Sequence, residues 1–285
     1  MNTGILLTVE NSVNNGNING TLVNRAGGLI GTMSSNQPTV VIKDSVNNGE
    51  IVLSSLSTNG CMGGGMIGFA SENGDTSVTI IRGHNNGKIS SFNTTAPVTI
   101  GGFIGTVWGG AQVNATLSCC INHGNLKTDT GNGTVGGLVG TMTNSTPESI
   151  INLLVNNSGN EGIMEATGDD SFMGGLFIVN SWGEDNTTTK VYNSFNKGHI
   201  TGKAHAYGIG NLMTVASNVV SVGPFTGQPE DAHSFSPSCD DATLLYGLVG
   251  ACVNCESATA LLTEQHTGGP YCVGEGQSAC VLTTC

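Results

Sequence analysis

Chemistry on a polysaccharide needs few residue types. Hydrolysis uses two carboxylates at a fixed separation, one protonated and one ionised, and lysis of an acidic sugar needs a metal or an arginine to hold the substrate carboxylate. The densest acidic patch in this chain is Asp169-Asp170 with Glu161 and Glu165, and the basic candidates are Arg25 and Arg82 with its neighbour His84. An enzyme of this kind would draw on Asp169, Asp170 and Arg82. The six histidines, His84, His123, His199, His205, His233 and His266, occupy different positions of the repeat described below, which predicts no row of imidazoles. The acidic patch falls in an irregular stretch and reads as a solvated loop. No catalytic residue is assigned.

Metal and nucleotide chemistry find less support. Cys252-Val253-Asn254-Cys255 is half of a zinc-ligand spacing, with no second Cys-x-x-Cys and no suitably spaced histidine. Neither an EF-hand loop nor the Gly-rich calcium nonapeptide occurs, and the Gly-rich segments lack the lysine of a phosphate loop. The sequence therefore predicts no metal site and no cofactor. Six of the nine cysteines, Cys239, Cys252, Cys255, Cys272, Cys280 and Cys285, lie in the last 61 residues. An even set there reads as a disulfide framework, with connectivities that the sequence leaves open, and it points to an oxidising compartment. Cys61, Cys119 and Cys120 lie apart from it.

The elements that must position any such residues are short and repeated. Only 10% of residues are charged, 5% are aromatic, and glycine fills 44 of 285 positions. With 38% hydrophobic residues the chain is too apolar for a disordered tail. The net charge is −12, and the last 82 residues carry seven acids and no base. Such a chain offers nothing to neutralise a run of phosphates, so nucleic acid and anionic membranes are excluded as partners. No apolar run approaches a membrane-spanning length. Met1 to Val9 lacks the basic start and cleavage site of a signal peptide, and the chain opens inside a repeat, as a fragment of a longer protein would.

Two motifs alternate. Asn-x-Gly-x-[Ile/Leu] recurs at Asn14-x-Gly16, Asn47-x-Gly49, Asn85-x-Gly87, Asn122-x-Gly124 and Asn196-x-Gly198, with a stretched version across Asn156 to Ile163. Gly-Gly-hydrophobic-hydrophobic-Gly recurs at Gly27, Gly64, Gly101 and Gly136, and decays at Gly174 and Tyr207. The second glycines stand 37, 37, 35, 38 and 33 residues apart. An aliphatic residue lies five positions before each Asn (Val9, Ile42, Ile80, Leu117, Val191) and a small one two before (Ser12, Ser45, Gly83, Cys120, Ser194). β-Branched runs such as Thr39-Val40-Val41-Ile42, bounded by Asn and Gly, read as strands.

About three strands per repeat, joined by tight turns with no helix between, describe one coil of a parallel β-helix. The expected fold is all-β: a right-handed parallel β-solenoid of about six coils, roughly 36 residues each, over residues 1–223, followed by the cysteine-rich segment 224–285. Asn and Gly tolerate the left-handed backbone, so Asn14, Gly16 and their counterparts at 47, 49, 85, 87, 122, 124, 196 and 198 are expected as left-handed corner residues. The small column marks a tight bend of the wall. Two large residues follow each Gly-Gly, and strand alternation would turn one of them outward.

These motifs carry a resemblance. Gly-Gly-Leu-Val-Gly followed by a strand and then Asn-Ser-x-x-x-Gly-x-Ile-x-Gly, as in Asn193-Ser194-Phe195-Asn196-Lys197-Gly198-His199-Ile200-Thr201-Gly202, resembles the GLUG-motif repeats of bacterial and protist surface proteins, over residues 1 to about 215. The resemblance implies an adhesin-like, secreted or surface-displayed repeat protein whose partner is an extracellular glycan or protein. A pectate-lyase-like enzyme and a structural spacer are the alternatives. Sequons at Asn93, Asn114, Asn144 and Asn186 permit N-glycosylation in a eukaryotic host.

Overall fold

A computed structural model describes residues 5–19, 23–34, 37–54, 60–72, 75–92, 96–180, 186–202, 205–221 and 225–226. Every strand pairing within its sheets is parallel and links one repeat to the next, so the chain is a parallel β-solenoid. Five walls are traversed per turn, as the third coil illustrates. A long strand, Thr76–Ile81, is followed by the two-residue strand His84–Asn85, then Ile89–Ser91, Val98–Gly101 and Ile104–Gly109. Five turns contribute a strand to every wall. The sixth lacks the last strand and keeps only an isolated bridge, Phe177 to Gly210, in its place.

Register carries the sequence columns into space. Val9, Ile42, Ile80, Leu117, Val155 and Val191 stack directly over one another along the long wall, and alternation along each strand sends their neighbours outward. The core has two compartments. One lies between the long wall and the fifth wall, with Ile42, Ile80, Leu117, Ile104 and Val107 among its members. The other lies between the third and fourth walls, with Ile51, Leu53, Ile89, Ile100 and Cys61.

The Asn-x-Gly motif builds the seam between these compartments. Asn47, Asn85, Asn122, Asn160 and Asn196 are all fully buried. Each donates from Nδ2 to the carbonyl of the Gly two residues on, at 2.9 to 3.3 Å. The second Nδ2 hydrogen reaches the Asn Oδ1 of the next coil: Asn14 to Asn47, Asn47 to Asn85, Asn85 to Asn122, Asn122 to Asn160 and Asn160 to Asn196, at 2.7 to 2.8 Å. Buried amides are thus satisfied by one another. A glycan- or ice-facing display of these side chains is ruled out by their burial.

The reason for glycine at these corners also differs from the expected one. Apart from Gln37 at 61° and Gly60 at 79°, the left-handed backbone among the described residues falls at Asn11, Asp44, Arg82, Cys119, Asn157 and Asn193, with φ between 46° and 57°, and at none of the Asn-x-Gly residues. That conformation occupies the preceding corner, just before the small column, as the Asn-Ser and Asp-Ser pairs at 11–12, 44–45, 157–158 and 193–194 could have signalled. Gly49, Gly87, Gly124, Gly162 and Gly198 are required by stacking instead. A Cβ on any of them would stand 2.0 Å from the carbonyl oxygen of the equivalent Gly one coil below, whereas on Gly16 it would meet only Asn14 Oδ1 at 3.6 Å.

The Gly-Gly motif closes on the same seam. A Cβ on its first glycine would collide with the carbonyl three residues on, as at Gly64 with Ile67 O at 2.1 Å. A Cβ on its second would strike the next coil's glycine carbonyl and the Asn ladder, as at Gly102 with Gly137 O at 2.1 Å and Asn122 Cγ at 2.6 Å. Both large residues after the pair point inward, Phe103 and Ile104 being fully buried. The chain bends at Gly102-Phe103 between two walls, so strand alternation does not operate there.

The fifth repeat is regular. Asn160-Glu161-Gly162-Ile163-Met164 is an intact Asn-x-Gly motif with Met in place of Ile or Leu, in register with Asn122 and Leu126. Reading Asn156 to Ile163 as a stretched motif missed it. The six C-terminal cysteines lie outside the described residues.

Candidate functional site

Where the long wall turns into the two-residue strand, the left-handed residue throws its side chain outward. Over four coils this opens a groove of about 390 Å³ lined by Asp44, Val46, Arg82, His84, Cys119, Ile121 and Asn157. Small residues make the turn possible. A Cβ on Gly83 would meet Phe103 at 2.8 Å, and the hydroxyls of Ser45, Ser158 and Ser194 donate to the carbonyl two residues back while accepting the small residue's N–H from the coil below. Cys120 fills this column as a buried thiol, donating to Ile80 O and Ser118 O at 3.4 Å. Burial pushes its thiol up to about 12, so it is chemically inert.

Arg82 forms a bidentate pair with Asp44 of the coil below, at 2.5 and 2.7 Å. The guanidinium hydrogen bond holds the Asp44 carboxyl below its usual value, and Asp44 in turn raises Arg82. His84 keeps an exposed edge, yet the groove wall removes water from its ring, and with His123 nearby this lowers its affinity for a proton. The His84 and His123 rings stack at 6.3 Å with 2° between planes. The expected absence of a row of imidazoles did not foresee this pair. One residue precedes the ladder Asn and the other follows it, a difference of phase that neighbouring coils bridge. His123 continues to Glu161 at 2.9 Å, and Glu161 to Lys197 at 3.3 Å. Asn157 Oδ1 is buried without a hydrogen-bond partner.

The groove therefore has an apolar floor of Val46 and Ile121, a charge-neutral pair, a neutral imidazole and an amide oxygen. It can hold a short polar ligand by hydrogen bonds, and its arginine is already committed to a carboxylate.

The remaining candidate residues are not brought to it. Glu161 and Glu165 are bound by Lys197 and Lys127 of adjacent coils. Asp169 and Asp170 lie exposed in the turn between Met164–Ala166 and Phe172–Gly174 of the fifth coil, a different corner from that of Arg82 in the third. Among the described residues no group of three or more His, Cys, Asp and Glu is placed to hold a metal ion, and no helix is long and apolar enough to cross a membrane. The Asn144 side chain is buried and donates to Ser149 O, so that sequon is structural. Asn114 lies on the outer face of the long wall, Asn186 is exposed, and Asn93 lies outside the described residues.

The class defined by fold and register is thus a parallel β-solenoid stitched by a buried Asn ladder. Comparison with family models, curated proteins and solved structures returned no match to this chain.

Proposed function

We propose that the chain is a non-enzymatic, adhesin-like repeat protein of the GLUG type, secreted or displayed on a cell surface, that presents outward side chains of successive coils to an extracellular glycan or protein. The observation that supports this reading is the separation of inward and outward columns. Two inward columns keep their residue type from coil to coil: Asn in the seam, and the aliphatic row from Val9 through Ile42, Ile80, Leu117 and Val155 to Val191 along the long wall. The outward row in register with them runs Thr8, Val41, Thr79, Thr116, Leu154, Lys190. A fixed interior under a variable exterior is what a display scaffold requires.

Charge supports the same reading. Lys43, Arg82, Lys88, Lys127 and Lys197 each pair with an acid one coil away, Glu10, Asp44, Glu50, Glu165 and Glu161. These exposed pairs stitch the outside of the coil stack, and solvent screening keeps the contribution of each small. Fold alone decides no activity.

The test is retention of the oxidised protein on arrays of glycans and matrix proteins, with bound polysaccharide recovered and sized. Retention with ligand of unchanged length is expected. Shortened ligand would replace this reading with a carbohydrate-active enzyme, and no retention would leave a structural spacer.

A further inference from the structure

The fourth and fifth walls touch through backbone at the glycines: a Cβ on Gly68 would stand 2.6 Å from the carbonyl of Ala26. One residue further out, the gap between their outer faces holds side chains. The Arg25 guanidinium lies 4.1 Å above the Phe69 ring, and Trp108 meets Phe69 edge-on, with centroids 6.4 Å apart and planes at 63°. Phe69 is 3% exposed and Trp108 42%. A largely exposed indole against a buried ring is an unusual use of an aromatic in a chain with so few of them.

The surroundings of this pair are hydroxyls. Thr32, Phe69, Thr106 and Thr141 form one outward row in register, and Trp108 stands beside Thr143 in the next. Thr106 is 4% exposed, lies directly across from Phe69, and its Oγ1 has no hydrogen-bond partner. Among the described side chains no carboxylate pairs with Arg25, unlike the five bases that are tied to acids of adjacent coils. Stacking on Phe69 leaves its N–H edge available for a bidentate acceptor.

We propose that this cleft binds an acidic polysaccharide, with a sugar ring stacked on Trp108 and the carboxylate of a neighbouring uronic acid paired with Arg25. The indole supplies the flat apolar face that the C–H side of a pyranose ring covers, and the threonines supply hydrogen bonds for its hydroxyls. Arg25 and Trp108 lie two coils apart, roughly 10 Å along the stack, about the reach of a disaccharide. Charge complementarity selects the ligand: among the described side chains of the cleft Arg25 is the one cation and has no carboxylate partner, so it can meet a single uronate rather than a dense run of anions. This inference rests on the display reading above and names the ligand class for one face of it.

Hyaluronan oligosaccharides and their carboxyl-reduced counterparts are the probes, titrated calorimetrically against the full chain and against Trp108→Ala, Trp108→Phe and Arg25→Gln, each first checked for unchanged far-ultraviolet dichroism. The expected result is at least a ten-fold loss with Trp108→Ala, partial retention with Trp108→Phe, and for Arg25→Gln a loss confined to the acidic probe. Equal binding of acidic and reduced probes, or undiminished binding by Trp108→Ala, overturns the proposal. So does concentration-dependent self-association that Trp108→Ala abolishes, since a second copy would then be the occupant. If the array retains other ligands and the Trp108 variants bind them like the parent, the cleft assignment fails while the display reading stands. If the array retains nothing, the display reading itself fails.

Discussion

Removing one rung of the Asn ladder should cost far more in the middle of the stack than at its first coil. In Asn122→Ala four hydrogen bonds disappear: Nδ2 to Gly124 O and to Asn160 Oδ1, and Oδ1 from Asn85 Nδ2 and Gly124 N. Two of the abandoned groups keep another partner, since Asn85 Nδ2 still reaches Gly87 O and Gly124 N still reaches Asn85 O. Asn160 Oδ1 and Gly124 O lose theirs, in a fully buried seam. At about 1–3 kcal/mol for each buried orphan, the loss is on the order of 2–6 kcal/mol. With a urea slope of ~3 kcal/mol per molar, the unfolding midpoint falls by roughly 0.7–2 M.

Asn14→Ala is the matched control. Its partner Asn47 Oδ1 still accepts from Gly49 N, and Gly16 is exposed, so solvent replaces what is lost. The expected loss is within about 1 kcal/mol. Urea unfolding followed by circular dichroism compares the two, with amide exchange at Gly124 and Gly162 reporting whether the opening is local. Equal losses in the two variants would refute the reasoning, because the ladder would then contribute no more than its end rung does.

Glycine behaves by position. Gly124→Ala places a methyl 2.0 Å from Gly87 O and is expected to prevent normal stacking, while Gly131→Ala, with nothing within 4 Å, should leave the thermal midpoint nearly unchanged; thermal melts of the pair check this. His84, whose folded-state proton affinity is lowered first by burial and then by His123, should titrate by NMR below 6.5, and His123→Ala should move it only part of the way back. Because its folded value is depressed, the stability it contributes is present above pH 6.5 and is lost as pH falls through the folded value. Cys120, with its thiol pushed up to about 12, should resist alkylation at pH 8 in the native protein and react promptly in denaturant, as site-resolved mass spectrometry would show.

The stack was legible because a solenoid writes its register into the sequence. Every coil must meet the same neighbours, so Asn, Gly and the aliphatics recur at one spacing. What the motifs do inside the coil was less legible. Asn and Gly read as left-handed corner formers on intrinsic preference, but Gly124 is fixed by a carbonyl of another coil and Asn122 by amides 37 and 38 residues away. Nothing local to the motif reports those contacts. The left-handed positions include Arg82 and Cys119, residues that carry no such preference and adopt the conformation because the coils on either side hold it. For the same reason the groove and the cleft were hidden: each joins residues from several coils, and Arg25, Phe69 and Trp108 share no motif.

The two motifs prove to be one device seen from two walls. Gly28, Gly65, Gly102, Gly137 and Gly175 each abut the side chain of a ladder Asn, from Asn47 through Asn196. The Asn is buried because a glycine faces it, and the glycine is required because the Asn fills the space its Cβ would take. Neither can change alone without leaving a buried amide unmet or a backbone clash. That mutual constraint pins the fourth wall against the second in every coil and so sets where the fifth wall emerges. The outer residues of the fifth wall, Trp108 among them, are bound by no such requirement. Variation in this fold is therefore channelled to the outer faces.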